Sequence, residues 1–466
     1  MRVLLIAVNQ EKYPYPVQPI GLAYIASALK SKGHEAKVLD LCFVNDFRSV
    51  IADQISLYSP DVIGFSIRNI DSTSYPETIY YLPKIKEIVT FCKEHSSAQM
   101  IVGGSGFSID PEEILNYLDL NLGVVGEGEQ TFCDMLDHVS LGQDVTHLKG
   151  IAYNDHGVSK VNDRDIPDEI DKYVPAREFF DVKKYVSEGS ITGIQSKRGC
   201  HFNCIYCTYP VIEGRTLRLR NPEDVVNELS ALYDIYGIDS FCFVDNVFNF
   251  PIHHAMDICQ AIIKKGLKIQ WTGFFHPKYI TKELVSLLVQ AGCSGVELGI
   301  DSASDKILAI LKKGFASQHI IDAISLCKQS GLNVCCCLIL GGPGETLITL
   351  EETFAVMDKS VPHAILAYTG IRIYPNTELE KIALQEGYSL DSYLEPKFYI
   401  SEELQDNLVS VIQEFAQTHA SFIYGGIPND IPLDFLKRMR KRGVKGPLWE
   451  LKSKFSQGLS IRSRKS

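Results

Sequence analysis

The sequence predicts an α/β protein of two modules: a doubly wound parallel sheet, then a partial (β/α)6, TIM-like barrel with a mainly helical region after it. Three observations predict this. Five strand–helix units recur within the first 140 residues, and six more between residues 190 and 388. The strands read as short, nearly continuous apolar runs, as in parallel sheets covered on both faces. The strand ends carry glycine and polar residues, where such folds place their ligands.

The first module takes in residues 1–140. VLLIAV (3–8) is an apolar strand, and 19–32 has helical periodicity ending at Gly33. Strands follow at 35–40, 61–67, 99–104 and 122–127, with helices over 76–95, over 110–119 and from Glu129 to Val139. Residues 141–189 are polar and irregular and read as a linker holding a small hairpin. Barrel strands are expected at 191–199, 240–246, 268–275, 295–300, 333–342 and 365–375, each with a helix after it. Residues 389–466 form the helical C-terminal region and end in a basic tail.

With 45% hydrophobic and 22% charged residues the chain is an ordinary globular protein, and no run of eighteen apolar residues suggests a membrane span. The N-terminus reads as a first strand and not as a signal peptide. Of the 46 Lys and Arg residues, eleven fall at 437–466 beside one acid, so the body is strongly acidic and unsuited to binding nucleic acid. The tail reads either as a solvated segment or as a peripheral membrane contact, with RKRGVKGPLW (440–449) mixing basic and aromatic residues. The aromatics Tyr393, Phe398, Tyr399, Phe422, Tyr424 and Trp449 read either as a packed core or as a lining for the substrate site. Thirteen cysteines, an odd count, argue against a disulfide framework and for a reducing, cytoplasmic setting.

Three cysteines stand apart. Cys200, Cys204 and Cys207 form C-x3-C-x2-C in RGCHFNCIYC, directly after the first barrel strand. Three thiolates on one loop suit three irons of a 4Fe–4S cluster, whereas structural zinc wants a fourth ligand close by. The remaining iron then keeps an open position for a small molecule.

This motif, at this place in a βα barrel, resembles the radical S-adenosylmethionine (SAM) superfamily over roughly residues 190–390. The resemblance implies that the cysteines hold the cluster, that SAM chelates the open iron, and that Tyr206 lies near the adenine. It implies a SAM amino-group contact at Asp245 and Asn246 in FVDNVF, where the family more often has Gly-Gly-Glu. It also implies a ribose contact at Glu297 in GVELGIDS and adenine contacts at Ile339, Gly341 and Gly342 in LILGGPGET. Arg372 and Tyr374 in IRIYPNTEL are expected to face the same mouth. Each reading has a plainer counterpart: Glu297 as a buried paired acid, Asp245 as a cap on backbone amides, and GGPGET as a helix entry.

The first module, from Pro19-Ile20-Gly21-Leu22 through Asp40 and on through VGGSGFS and VVGEGEQTF, is similar to the Rossmann-like cobalamin-binding domains that precede some radical SAM barrels. The resemblance implies corrinoid contacts at Arg68, Asn69, Gly103, Gly104, Ser105, Gly126 and Glu127. No D-x-H-x-x-G motif supplies a histidine below cobalt, and His34 precedes a strand at the wrong end. Arg68 and Asn69 are placed there instead, where a cation disfavours Co(III) and favours Co(I). In the plainer reading Arg68 pairs with Asp71 or a corrin amide.

The resemblance implies an enzyme that methylates an unactivated carbon through a 5′-deoxyadenosyl radical and methylcobalamin. A small-molecule or lipid-like substrate and an external electron donor such as flavodoxin or ferredoxin would serve it. Three alternatives stand beside it: rearrangement or cyclisation without methyl transfer, methylthiotransferase chemistry using a second triad at Cys42, Cys92 and Cys133, and a non-catalytic cobalamin sensor.

Overall fold

A computed structural model describes residues 1–12, 15–419, 421–424, 433–444 and 446–450. Strands β1 (Arg2–Ala7), β2 (Glu35–Asp40), β3 (Val62–Ser66), β4 (Gln99–Gly103) and β5 (Leu122–Val124) lie parallel in the order β2-β1-β3-β4-β5. The order reverses beside β1, which opens a crevice at the carboxyl ends of β1 and β3. Helices cover both faces, so alternate strand residues enter two separate cores: Leu4, Ile6, Ile63 and Val102 in one, Val3, Leu5, Val62 and Ile101 in the other.

The hairpin expected in the linker belongs to this sheet. β6 (Ile151–Asp155) and β7 (Val158–Val161) add two antiparallel strands beyond β5. Their turn is His156-Gly157, both at positive φ, as a two-residue primed turn requires. Ile151 and Ala152 pull the hairpin in, each burying its side chain in one of the two cores.

The second sheet is a parallel, open barrel. Its strands are β8 (Thr192–Ile194), β11 (Ser240–Phe243), β12 (Gln270–Phe275), β13 (Cys293–Asp301), β14 (Asn333–Leu340) and β15 (Ala364–Thr369). Two residues past β8, the short pair β9 (Lys197–Arg198) and β10 (Arg218–Leu219) brackets the cysteine loop. The expected sixth strand does not run through to residue 375. It breaks at Gly370, whose φ is +67°, and Ile371–Arg372 turns away as β16 to pair with β17 (Phe398–Tyr399).

The C-terminal region contributes a seventh barrel strand, β18 (Phe422–Tyr424), parallel to β15. Three apolar residues are too short a run to announce a strand in sequence. Trp449 is buried against Cys335, Ala364 and Ile423, and Arg440 donates to the carbonyls of Gly189, Val444 and Gly446. These two members of the basic, aromatic stretch are therefore spent on packing, not offered to a membrane face. Residues 451–466, the rest of the tail, lie outside the described residues. No described helix is long and apolar enough to cross a membrane.

Candidate active site

The carboxyl ends of the two sheets face one another across a cavity of about 860 Å³. Arg68, Asn69, Gly103, Gly104 and Ser105 line it from the first sheet, together with Gly126 and Glu127. Gln195, Thr208, Glu213, Phe274 and Tyr374 line it from the barrel side.

The turn after β4 is shaped by contact with the turn after β3. Gly104 has φ +103°, and a Cβ there would collide with the carbonyl oxygen of Ile67. Ser105 Oγ donates to the Arg68 carbonyl at 2.9 Å. Ser108 Oγ donates to Gly104 O at 2.9 Å and accepts from Gly126 N at 2.8 Å, tying this turn to the one after β5. The result is a backbone-walled cradle that admits a large flat ligand closely.

Arg68 stands in the wall of this cradle. Burial lowers its pKa, its Nε has no hydrogen-bond partner, and it makes no ion pair among the described residues. The pairing with Asp71 does not occur, because Asp71 is taken by Arg372 at 2.9 Å. Glu127 has a second task besides the expected place in the cavity wall. Its carboxylate accepts from Arg198 Nη1 and Arg218 Nη1, each at 2.8 Å, so it lines the cavity while bolting the two modules together. Burial opposes its charge, and the two arginines more than offset that, leaving its pKa lowered.

The cysteine loop adjoins this space: Arg198, Thr208 and Tyr209 on either side of it line the cavity, and Cys200 borders a small neighbouring pocket with Asn246. Cys200 is buried, Cys204 and Cys207 are half-buried, and the loop is fixed by Cys200 N donating to Gly214 O at 3.0 Å. Burial raises all three thiols, Cys207 to about 12, and their mutual charges raise Cys200 and Cys207 further, while Lys313 pulls each down. No three His, Cys, Asp or Glu side chains among the described residues close on a single ion. A cuboidal cluster spreads its thiolates across its faces and needs no such convergence. Three thiols on one loop beside a buried cation fit that cluster and do not fit a tetrahedral zinc site.

Next to the cysteines, Tyr206 OH donates to Asp301, and Lys313 Nζ lies 2.6 Å from Asp301 Oδ2. Asp301 and Lys313 are functional candidates that the sequence reading passed over. The available signal was the second acid in GVELGIDS, at the strand's very end and at φ +63°. Glu297 lies four residues earlier, inside the barrel, where its neighbours are Trp449 and Glu450. It is not brought to the cysteine loop, and Asp301 is.

Asp245 and Asn246 separate in role. Asp245 is buried and accepts from Ser196 N at 2.7 Å, Ser196 Oγ at 2.5 Å and Lys197 N at 3.2 Å. Both its oxygens are consumed in joining the ends of β8 and β11, the plainer of the two readings. Asn246 faces the cysteine loop, with Nδ2 3.1 Å from Glu213 Oε2 and 3.4 Å from Gly199 O. Glu213, also unanticipated, accepts from Gly199 N at 3.0 Å and borders both the cysteines and the main cavity. Ile339 and Tyr206 pack on the same apolar cluster. The amides of Gly341 and Gly342 both donate to Glu345, so that turn is closed by its own acid.

The second cysteine triad does not form. Cys92 and Cys133 are wholly buried in different cores on opposite faces of the first sheet. Among the C-terminal aromatics, Tyr399, Phe422, Tyr424 and Trp449 are buried in packed cores.

Comparison with known proteins agrees with this anatomy. The model of the radical SAM superfamily matches residues 194–357, and that of the B12 binding domain matches residues 6–136. An uncharacterized methyltransferase of Pyrococcus horikoshii is 29% identical over 401 residues, 83% of this chain and 85% of that protein. The tryptophan 2-C-methyltransferase of Streptomyces laurentii is 25% identical over 443 residues, 80% of this chain and 73% of its own length. The radical SAM methyltransferase TsrM from Kitasatospora setae, solved with cobalamin and a [4Fe-4S] cluster, shares the fold. The TM-score is 0.88 at 22% identity, over 100% of this chain and 99% of that one.

Proposed function

We infer that this chain, an enzyme joining a B12 binding domain to a radical SAM domain, transfers a methyl group from SAM to carbon on a small molecule. The observation that carries the reading is the shared cavity. The glycine cradle of the first sheet lines one side of it, and Arg198, Thr208 and Tyr209, which flank the cysteine loop, line the other, so a ligand on that loop stands next to a ligand in the cradle. When bound, the cluster supplies the electron that cleaves a sulfonium, and the corrinoid supplies a carrier for the methyl group.

The chain's own residues do the holding. Cys200, Cys204 and Cys207 ligate the cluster and leave one iron without a protein ligand. Tyr206 and Ile339 form an apolar wall for the adenine, and Asp301 takes the ribose role first given to Glu297. Asn246 stands toward the amino group. Gly103, Gly104, Ser105 and Gly126 bring backbone against the corrin, and Asn69 offers its amide beside them. Arg68 puts an unpaired positive charge at that wall and disfavours further positive charge there. The buried ion pairs around Glu127 and Arg372 lock the two modules together beside the cavity.

The substrate is a small molecule, and the reductant an external one-electron donor. The test supplies reconstituted enzyme with SAM labelled in its methyl group, a reductant and a small-molecule extract. A product heavier by one labelled CH2 is expected. Products lacking the label but short of hydrogen overturn methyl transfer in favour of cyclisation.

A further inference from the structure

The inward face of β13 is unusual in its alternation. Val296, Leu298 and Ile300 point to the helices, so Gly295, Glu297 and Gly299 point into the barrel. Below Glu297 the barrel is filled: a Cβ on Gly295 would lie 2.7 Å from the Trp449 ring and 2.9 Å from Glu450 Oε1. Glu450 is itself held there by Ser294 Oγ at 3.0 Å. Above Glu297 the barrel is open among the described residues, since a Cβ on Gly299 would meet none of them within 4 Å. Glu297 thus lies next to the wall of the main cavity: Phe274, its partner on β12, lines that cavity, as do Cys242 and Tyr15, which both feel its charge.

That place carries an acid with no basic partner. Glu297 is 8% exposed and makes no ion pair among the described residues. The Trp449 indole lies toward it without completing a hydrogen bond of normal geometry. Arg440, the nearest basic group to Tyr15, spends its donors on backbone carbonyls. Burial holds the Glu297 carboxyl up at about 7. A buried acid is kept without a counter-ion at a cost unless a ligand provides one.

The walls complete the recognition. Phe274 is 38% exposed inside the barrel mouth, an apolar face on which a flat or hydrocarbon body can lie. Tyr15 reaches in from the loop after β1, with Cys242, Glu297 and Tyr368 around its hydroxyl. We propose that the space above Glu297 is the substrate pocket, and that Glu297 binds a protonated amine carried on an apolar or aromatic body. A cationic ligand satisfies the carboxylate by a charge-assisted hydrogen bond, whereas an anionic one would face the like charge of an acid that has no ion-pair partner among the described residues. The proposal rests on the barrel being the catalytic module described above.

The test uses the holoenzyme with SAM present and three probes of one shape: phenethylamine, 2-phenylethanol and 3-phenylpropionate. Binding is read by calorimetry, and iron and cobalt contents are measured on the same samples. The wild type is expected to bind phenethylamine about tenfold or more tightly than 3-phenylpropionate. Glu297→Gln should erase that ranking, and Gly299→Leu should block all three probes by filling the space above Glu297, both with wild-type metal content. The proposal is overturned if the wild type shows no preference for the amine, or if the preference survives Glu297→Gln. Absence of iron and cobalt from the wild-type protein would count against the catalytic reading instead, so the two failures are told apart.

Discussion

Arg372 Nε lies 2.9 Å from Asp71 Oδ2 across 301 residues of chain, and both side chains are sealed from solvent. Arg372 also donates to the carbonyls of Ile373 and Tyr393. This bolt fixes the barrel mouth against the turn that carries Arg68, and so sets the width of the shared cavity. Asp71→Asn would leave a buried guanidinium without its counter-charge and should cost about 3–5 kcal/mol in denaturant unfolding. The double variant Asp71→Asn, Arg372→Met should recover part of that loss; full additivity would mean that the two side chains are not coupled.

Gly104→Ala should weaken both stability and corrinoid retention. The added methyl meets the Ile67 carbonyl at a φ that L residues avoid, a penalty of about 2 kcal/mol or more. Gly142→Ala is the control, because its positive φ sits in open space. Equal losses of bound cobalt in the two variants would contradict the cradle.

Removing the charge of Arg68 should make the bound corrinoid harder to reduce. A nearby cation favours the electron-richer state, so Arg68→Met is expected to move the reduction midpoint to more negative potential. Spectroelectrochemical titration reads this directly. An unchanged or more positive midpoint would remove Arg68 from that wall.

Glu345 gives the fold a pH dependence of definite sign. It is wholly buried and its Oε1 lacks a partner; Oε2 accepts from the two glycine amides. Burial raises its pKa from 4.5 to about 7. The folded state therefore holds the proton more tightly than the unfolded chain. That stabilisation is complete below about pH 4.5 and is lost as pH rises through 7. Glu345→Gln should lose this response, so the stability difference between variant and wild type should change by about 3 kcal/mol between pH 4.5 and 8. Parallel pH profiles for the two proteins would contradict it.

Much of this architecture was legible because it is written locally. Parallel strands buried on both faces leave apolar runs at regular spacing, and C-x3-C-x2-C places three thiols on one loop whatever the rest of the chain does. What escaped depends on partners far away. Glu127 reads only as a ligand contact, and its second task, pairing with Arg198 and Arg218, shows only once the barrel is packed against it. Arg372 reads as a mouth residue until Asp71 claims it. Two acids share the strand GVELGIDS, and only the packing of Trp449 beneath one and Lys313 beside the other separates their roles. β18 is three residues long and gains its place solely by pairing with β15.

On this reading the three loop cysteines hold a cluster that opens SAM beside the corrinoid cradle. The most direct measurement reconstitutes wild-type protein and the Cys200→Ala, Cys204→Ala, Cys207→Ala variant under anoxic conditions, then assays iron, sulfide and cleavage of SAM. The wild type should bind iron and sulfide in equal amounts and cleave SAM, and the variant should do neither while still retaining cobalamin. SAM cleavage by the triple variant, or a wild type that takes up no sulfide, would mean that these cysteines hold no such cluster.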